Sequence, residues 1–311
     1  MIAVILLGRE DILKWANDGS ISWKEGPDAC VGAALGGHLE VLKWARENGC
    51  PLNERVTHAA CEGGHIELLK WLKEQGCPFN GLVSRQAAMD GNMELIKWLR
   101  ANGCNFDDRV CNAAAIRGRL EMLKWLKENG CDWGASTLMS AAYGGHVDVL
   151  KWLREDGCPW DRRVYIVAAR EGHLEVMKWL KETDCPWVEG IYDYATIGGH
   201  VDVLKWLKEN GVAWGKLTAS HAAYNGNLAV LKWLRENGCT LDEAVFEQAV
   251  EGGFLRVVRW LREVGVPWNS TVLRAAKRRK NGKLIEWLKA NGCPEEDEDS
   301  PSEDESVFAE P

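Results

Sequence analysis

Apolar and charged positions along this chain follow a pattern that returns every 27 residues. From His65 to Gln75, Leu68, Leu69, Trp71 and Leu72 fall within about 160° of the helical wheel, while Glu67, Lys70, Lys73 and Glu74 take the opposite arc. This predicts an amphipathic helix with one charged face. Its marker tryptophan recurs at Trp15, Trp44, Trp71, Trp98, Trp125, Trp152, Trp179, Trp206, Trp233, Trp260 and Trp287, spaced by 27 after a first interval of 29. Gly76 and its counterparts, such as Gly49, Gly103 and Gly130, stand where a left-handed residue would end that helix, and Asp184 interrupts their column. A second, shorter helix precedes each marked one. Asn53, Asn80, Asp107, Asp161, Asp242 and Asn269 stand ready to cap it, and a small Ala pair such as Ala59-Ala60 lets a neighbour approach closely.

This periodicity changes what composition means. At 311 residues the chain could be two ordinary domains, but one repeated unit fills it. All 17 tryptophans are accounted for: the eleven above mark the second helix, and Trp23, Trp133, Trp160, Trp187, Trp214 and Trp268 share one further position. The longest apolar run, Met1 to Leu7, is too short for a membrane span, and it lacks the basic flank and cleavage site of a secretory signal.

A leucine-rich repeat has a similar period, but its Leu-x-x-Leu-x-Leu signature does not occur, and two helices leave no room for a strand. The stretch Ala59-Ala60-Cys61-Glu62-Gly63-Gly64-His65-Ile66-Glu67-Leu68-Leu69-Lys70 instead resembles the core of the ankyrin repeat, and it recurs ten or eleven times up to about residue 293. The usual unit of that family has 33 residues. The six missing ones fall where it forms a β-hairpin finger, and Thr-Pro-Leu-His does not appear. The expected fold is therefore an all-α solenoid of about 10–11 stacked helix-turn-helix ankyrin-like repeats with short or absent fingers. Residues 1–293 would form the array, with 1–20 a partial first repeat, 267–293 a degenerate cap, and 294–311 a disordered acidic tail.

Stacking at roughly 8–10 Å between helix axes must then supply the stability, with tryptophan making the interface. Truncating Trp152 is expected to cost about 3–5 kcal/mol, and truncating Trp287, in the last repeat, less. Cys50, Cys77, Cys104, Cys131, Cys158, Cys185, Cys239 and Cys293 share a column in which Val212 and Val266 substitute, so they are expected to be reduced packing residues in a cytoplasmic or nuclear protein. His38, His65, His146, His173 and His200 occupy one helix-start position, too regularly spaced for four metal ligands to converge. Neither a Cys-x-x-Cys pair nor a complete phosphate loop is present. No catalytic residue, cofactor or metal is expected.

Function is then sought where the scaffold varies. In the ankyrin family the residues between the Ala pair and the Gly-His commonly face ligand on the concave side. Here the first of them reads Leu35, Glu62, Met89, Ile116, Tyr143, Arg170, Ile197, Tyr224, Glu251 and Arg278. All five tyrosines lie on first helices. Tyr and Arg are favoured interface anchors, so a protein-binding surface is expected around Tyr143, Arg170, Ile197 and Tyr224, supported by Met139, Ile166, Asp193 and Tyr194. Tyr165 and Tyr192 sit where other repeats use Leu138 or Phe246 and are expected in the core.

Charge separates the end of the chain from the rest. Residues 295–311 hold nine acids and no base, which leaves 38 basic against 37 acidic residues in the repeats, so the formal −8 describes a tail on a nearly neutral array. Before it, Lys277, Arg278, Arg279 and Lys280 form a candidate import signal or nucleic-acid contact, or simply a polar cap, and the tail is a candidate to fold over them. The resulting expectation is a non-catalytic scaffold that binds an unidentified protein partner, with no membrane contact and no secretion. A nuclear nucleic-acid-associated role through the basic last repeats is the alternative. The molecule is expected to be a monomer unless its apolar N-terminal face pairs.

Overall fold

The computed structural model describes residues 28–183, 185 and 188–295. The expected partial repeat at 1–20 and the tail beyond Glu295 lie outside the described residues. Twenty helices follow one another among the described residues, and no strand is present. They are α1 (Asp28–Leu35), α2 (Leu39–Glu47), α3 (Glu54–Glu62), α4 (Ile66–Glu74), α5 (Gly81–Asp90), α6 (Met93–Ala101), α7 (Asp108–Ile116), α8 (Leu120–Glu128), α9 (Ala135–Gly144) and α10 (Val147–Glu155). The same order continues through α11 (Arg163–Glu171), α12 (Leu174–Glu182), α13 (Ile191–Gly198), α14 (Val201–Glu209), α15 (Thr218–Tyr224), α16 (Leu228–Glu236), α17 (Glu243–Gly252), α18 (Leu255–Glu263), α19 (Ser270–Arg278) and α20 (Gly282–Ala290). Odd-numbered helices are the first, and even-numbered the second, of each pair. The chain divides into two compact units, Met1–Val164 and Tyr165–Pro311.

The local signals act as the sequence implies. The side chain of Asn53 accepts from the N–H groups of Arg55 and Val56, and Asp107, Asp242 and Asn269 cap their helices in the same way. At the end of α2, Gly49 takes φ +87 while Cys50 N–H donates to the Ala45 carbonyl and Gly49 N–H to that of Arg46. This pattern places an apolar residue against the last helical turn. It explains the cysteine column and why valine can replace cysteine there. Only six residues join α2 to α3, with no β-hairpin between them.

Within each unit the closest packing runs between successive first helices, as from α1 to α3, α5, α7 and α9, or from α13 to α15, α17 and α19. Buried pairs such as Ala33-Ala34, Ala87-Ala88 and Ala222-Ala223 allow the approach. The helix-start histidines complete this junction, but not as caps of their own helices. The ring Nε2 of His65 reaches back to the Leu35 carbonyl at 3.0 Å, and that of His146 reaches the Ile116 carbonyl at 3.1 Å. Each ring lies so tightly over a glycine of the preceding pair, Gly37 or Gly118, that a Cβ there would meet it at 2.5 Å. Both glycines have positive φ. Asn227 makes the corresponding contact with the Thr196 and Ile197 carbonyls, and the Phe254 ring covers Gly226.

The other side of the junction is built from aromatic rings and cations. Phe79, Phe106, Trp133, Trp214 and Trp268 meet the next marker tryptophan edge to face, with Trp133 and Trp152 4.9 Å apart between centroids. A Lys or Arg from the preceding second helix lies over each: Lys73, Arg100, Lys127, Lys208 and Arg262. The same cations reach the end of the next second helix, where Arg100 donates to the Asn129 carbonyl at 2.6 Å and Lys208 to Asn237 Oδ1 at 2.6 Å. That end carries unpaired carbonyls and negative partial charge, so a cation is favoured there. Marker tryptophans are less enclosed than expected. Trp152 is half-buried, whereas Trp179 and Trp233 are buried.

One cysteine expectation is corrected. Cys30 and Cys50 are joined by a disulfide. Neighbours along the cysteine column lie in different repeats and do not bond, but this bridge forms inside one helix pair, between α1 and the residue after the turn that ends α2. The other seven cysteines of the column are free, as expected.

Candidate partner-binding surface

The surface of the first helices is set by three adjacent positions. The first and second, for example Ala141-Ala142 and Ala222-Ala223, are buried against neighbouring helices. The third turns outward because a helix advances about 100° per residue. In the unit 28–164 this third position carries Leu35, Glu62, Met89, Ile116 and Tyr143, and Tyr143 is 49% exposed. In the unit 165–295 it carries Arg170, Ile197, Tyr224, Glu251 and Arg278, and Tyr224 is 42% exposed. Arg170 and Arg278 are also exposed, while Ile197 is half-buried.

The supporting residues differ among themselves. Met139, Ile166 and Tyr194 are half-buried. Asp193 is engaged by its own scaffold: Thr218 Oγ1 donates to its Oδ1 at 2.7 Å, and His221 Nδ1 lies 3.6 Å from the same oxygen. Thr137 and Asn112 make the equivalent contact at 2.7 Å in the first unit, so this is a recurrent bridge between first helices. Tyr165 and Tyr192 are each 1% exposed. The Tyr192 hydroxyl donates to the Leu204 carbonyl at 2.8 Å, and burial pushes its pKa up to about 12. These two tyrosines belong to the core.

The basic stretch before the tail is partly used inside its unit. Arg278 pairs with Glu251, and Arg279 Nε donates to the Glu251 carbonyl at 2.7 Å. Lys280 stands in the glycine column with φ +53. Lys277 and Lys280 are exposed. Glu295 pairs with Lys289 at 2.8 Å, which lowers its pKa.

Sequence reasoning missed the inter-repeat reach of the histidines and the cation column over the aromatic rings. Both signals were present as repeated residues, but a column shows that a position matters without showing which neighbour it touches. Among the described residues no cluster of three or more His, Cys, Asp or Glu side chains is arranged to hold a metal ion, and no helix is long and apolar enough to cross a membrane.

Helix pairs in tandem, with mostly small inner columns and a varied outer row on the first helices, define an all-helical repeat protein. Residues 84–164 match the family model of ankyrin repeats, in three copies. The same 27-residue columns extend to either side of that stretch. Among solved structures, the crystal structure of the human ASB11 ankyrin repeat domain is 24% identical, with a TM-score of 0.41, over 51% of this chain and 84% of that one. No curated protein matches the chain. Ankyrin repeats generally serve as protein–protein interaction modules.

Proposed function

We propose that this protein is a non-catalytic scaffold that binds a protein partner through the outward row of its first helices. The observation that carries this reading is the contrast within three consecutive positions: the inner two are buried in every described repeat except at Lys277, while the third varies among aromatic, charged and aliphatic residues and is exposed or half-buried. Conserving a packed pair beside a freely varied position is what a scaffold needs when recognition is separated from folding. Tyr143 anchors the row of the first unit, with Met139 beside it in the reading. Arg170, Ile197 and Tyr224 anchor the row of the second, with Ile166, Asp193 and Tyr194 in support. Exposed aromatic rings bury large area at low entropic cost when a partner covers them.

The test is proximity labelling with the full chain and with a Tyr143→Ala/Tyr224→Ala variant whose helicity and urea midpoint match the parent. The reading expects one or more labelled proteins to fall at least tenfold in the variant. A second-helix control, Lys97→Ala/Lys151→Ala, should leave them unchanged. A folded tyrosine variant that retains every labelled protein removes this surface.

A further inference from the structure

Two positions 20 residues apart in the unit, one on the first helix and one just after the second, face each other inside a single helix pair. In the first pair they are Cys30 and Cys50, which are bonded. Exactly three repeats later they are Cys111, on α7, and Cys131, after α8, whose sulfurs lie 2.7 Å apart. That is closer than two unbonded sulfurs rest. Elsewhere the first-helix position holds residues such as Thr57, Ser84, Leu138, Tyr165 or Phe246, so a facing cysteine is not a requirement of the fold. Both Cys111 and Cys131 are buried, with exposures of 0% and 3%. A bulky reagent is therefore excluded from the folded pair, so the oxidant must be small.

We propose that Cys111 and Cys131 are an oxidation site that hydrogen peroxide closes into a second intrarepeat disulfide. Cys131 is the attacking group. The sulfur–sulfur contact holds its pKa down, while the same contact and burial push that of Cys111 up. The Cys131 thiolate attacks one peroxide oxygen, the O–O bond breaks, and the released hydroxide takes a proton to become water, leaving a sulfenic acid on Cys131. Cys111 Sγ then attacks the Cys131 sulfur. The S–S bond forms, the S–O bond breaks, and the hydroxyl leaves with the Cys111 proton as a second water. Each sulfur gives up one electron, and the peroxide takes the pair. The product ties α7 to the turn that ends α8 and constrains one pair in the middle of the first unit.

The experiment is peptide mapping of the full chain after reduction, removal of reductant, brief treatment with hydrogen peroxide, and alkylation under denaturing conditions. The expected result is a peptide pair linked through Cys111 and Cys131, two hydrogens lighter than the sum of its parts, and a urea midpoint higher than that of the reduced protein. Cys131→Val is a suitable second variant because Val212 and Val266 hold the same column position in this chain. It should show no linked peptide at Cys111 and no peroxide-dependent shift in midpoint. In Cys111→Ala, a sulfenic-acid probe should label Cys131. Recovery of both residues as alkylated thiols, oxidation of both to sulfinic acid without a link, or linkage of either to a different cysteine would overturn the proposal. Labelling of Cys111 in Cys131→Val at a rate equal to that of Cys131 in Cys111→Ala would overturn the order of attack.

Discussion

The two sides of a repeat junction solve the same problem with opposite tolerances. On the first-helix side, backbone approaches backbone, and a side chain that varies between repeats fills the remaining space over a fixed glycine, as His146 does over Gly118 and Phe254 over Gly226. On the second-helix side, long side chains bridge the gap. The ring is Phe in Phe79 and Phe106 but Trp in Trp133, the cation is Lys or Arg, and its acceptor is a carbonyl, an amide or a carboxylate. Close backbone contact leaves no slack, because a methyl group cannot move out of its own way. Flexible side chains absorb variation by changing rotamer.

The largest expected effect probes the adaptable side by deletion rather than substitution. Trp233→Ala removes a buried ring that packs on Trp214 and should cost about 3–5 kcal/mol. Trp287→Ala, at a half-buried ring in the last described pair, should cost less than half as much in urea unfolding. Equal losses would mean that stacking does not carry the stability.

The strict side should respond to a single methyl. Gly118→Ala combines a left-handed backbone with collision against His146 and should cost about 2–4 kcal/mol. Gly64→Ala is left-handed too, but nothing lies within 4 Å of its added Cβ, so it should cost only about 1–2 kcal/mol. In a His146→Ala background the penalty of Gly118→Ala should fall to the Gly64 level, a coupling that a double-mutant cycle reads directly. Without that fall, the ring is not what makes the position strict.

Trp133→Phe tests tolerance on the other side. Because Phe79 and Phe106 occupy its column beneath the same kind of cation, the expected loss is about 1 kcal/mol in chemical unfolding. A loss as large as that of Trp233→Ala would break the contrast. The smallest effect is a gain. Lys280 is the only non-glycine with positive φ among the described residues, and Lys280→Gly should stabilise the protein by up to about 1 kcal/mol in thermal or urea unfolding.

Much of this was legible before the structure. Amphipathic spacing, glycine stops and Asn or Asp caps are local, so the helices and their bounds follow from neighbours within a few residues. The exposure of Tyr143 and Tyr224 at the third position was legible as well, because that position varies beside a mostly small, buried pair. The cysteine reading held for seven of the eight column members and missed one bridge for an instructive reason. It compared equivalent positions one unit apart, while the Cys30–Cys50 bond joins different positions within a unit. Asp193 likewise reads as a surface residue in the chain, yet Thr218 and His221 approach it from the next first helix.

The sequence by itself determined that the protein is a tandem array of helix pairs, because periodicity and capping depend on interactions close along the chain. Only the tertiary structure decided what each column touches. Histidine over glycine, ring against the next marker tryptophan, and cysteine facing cysteine join residues 19 to 28 positions apart. Their contact depends on how helix pairs lie against one another, which spacing alone does not specify.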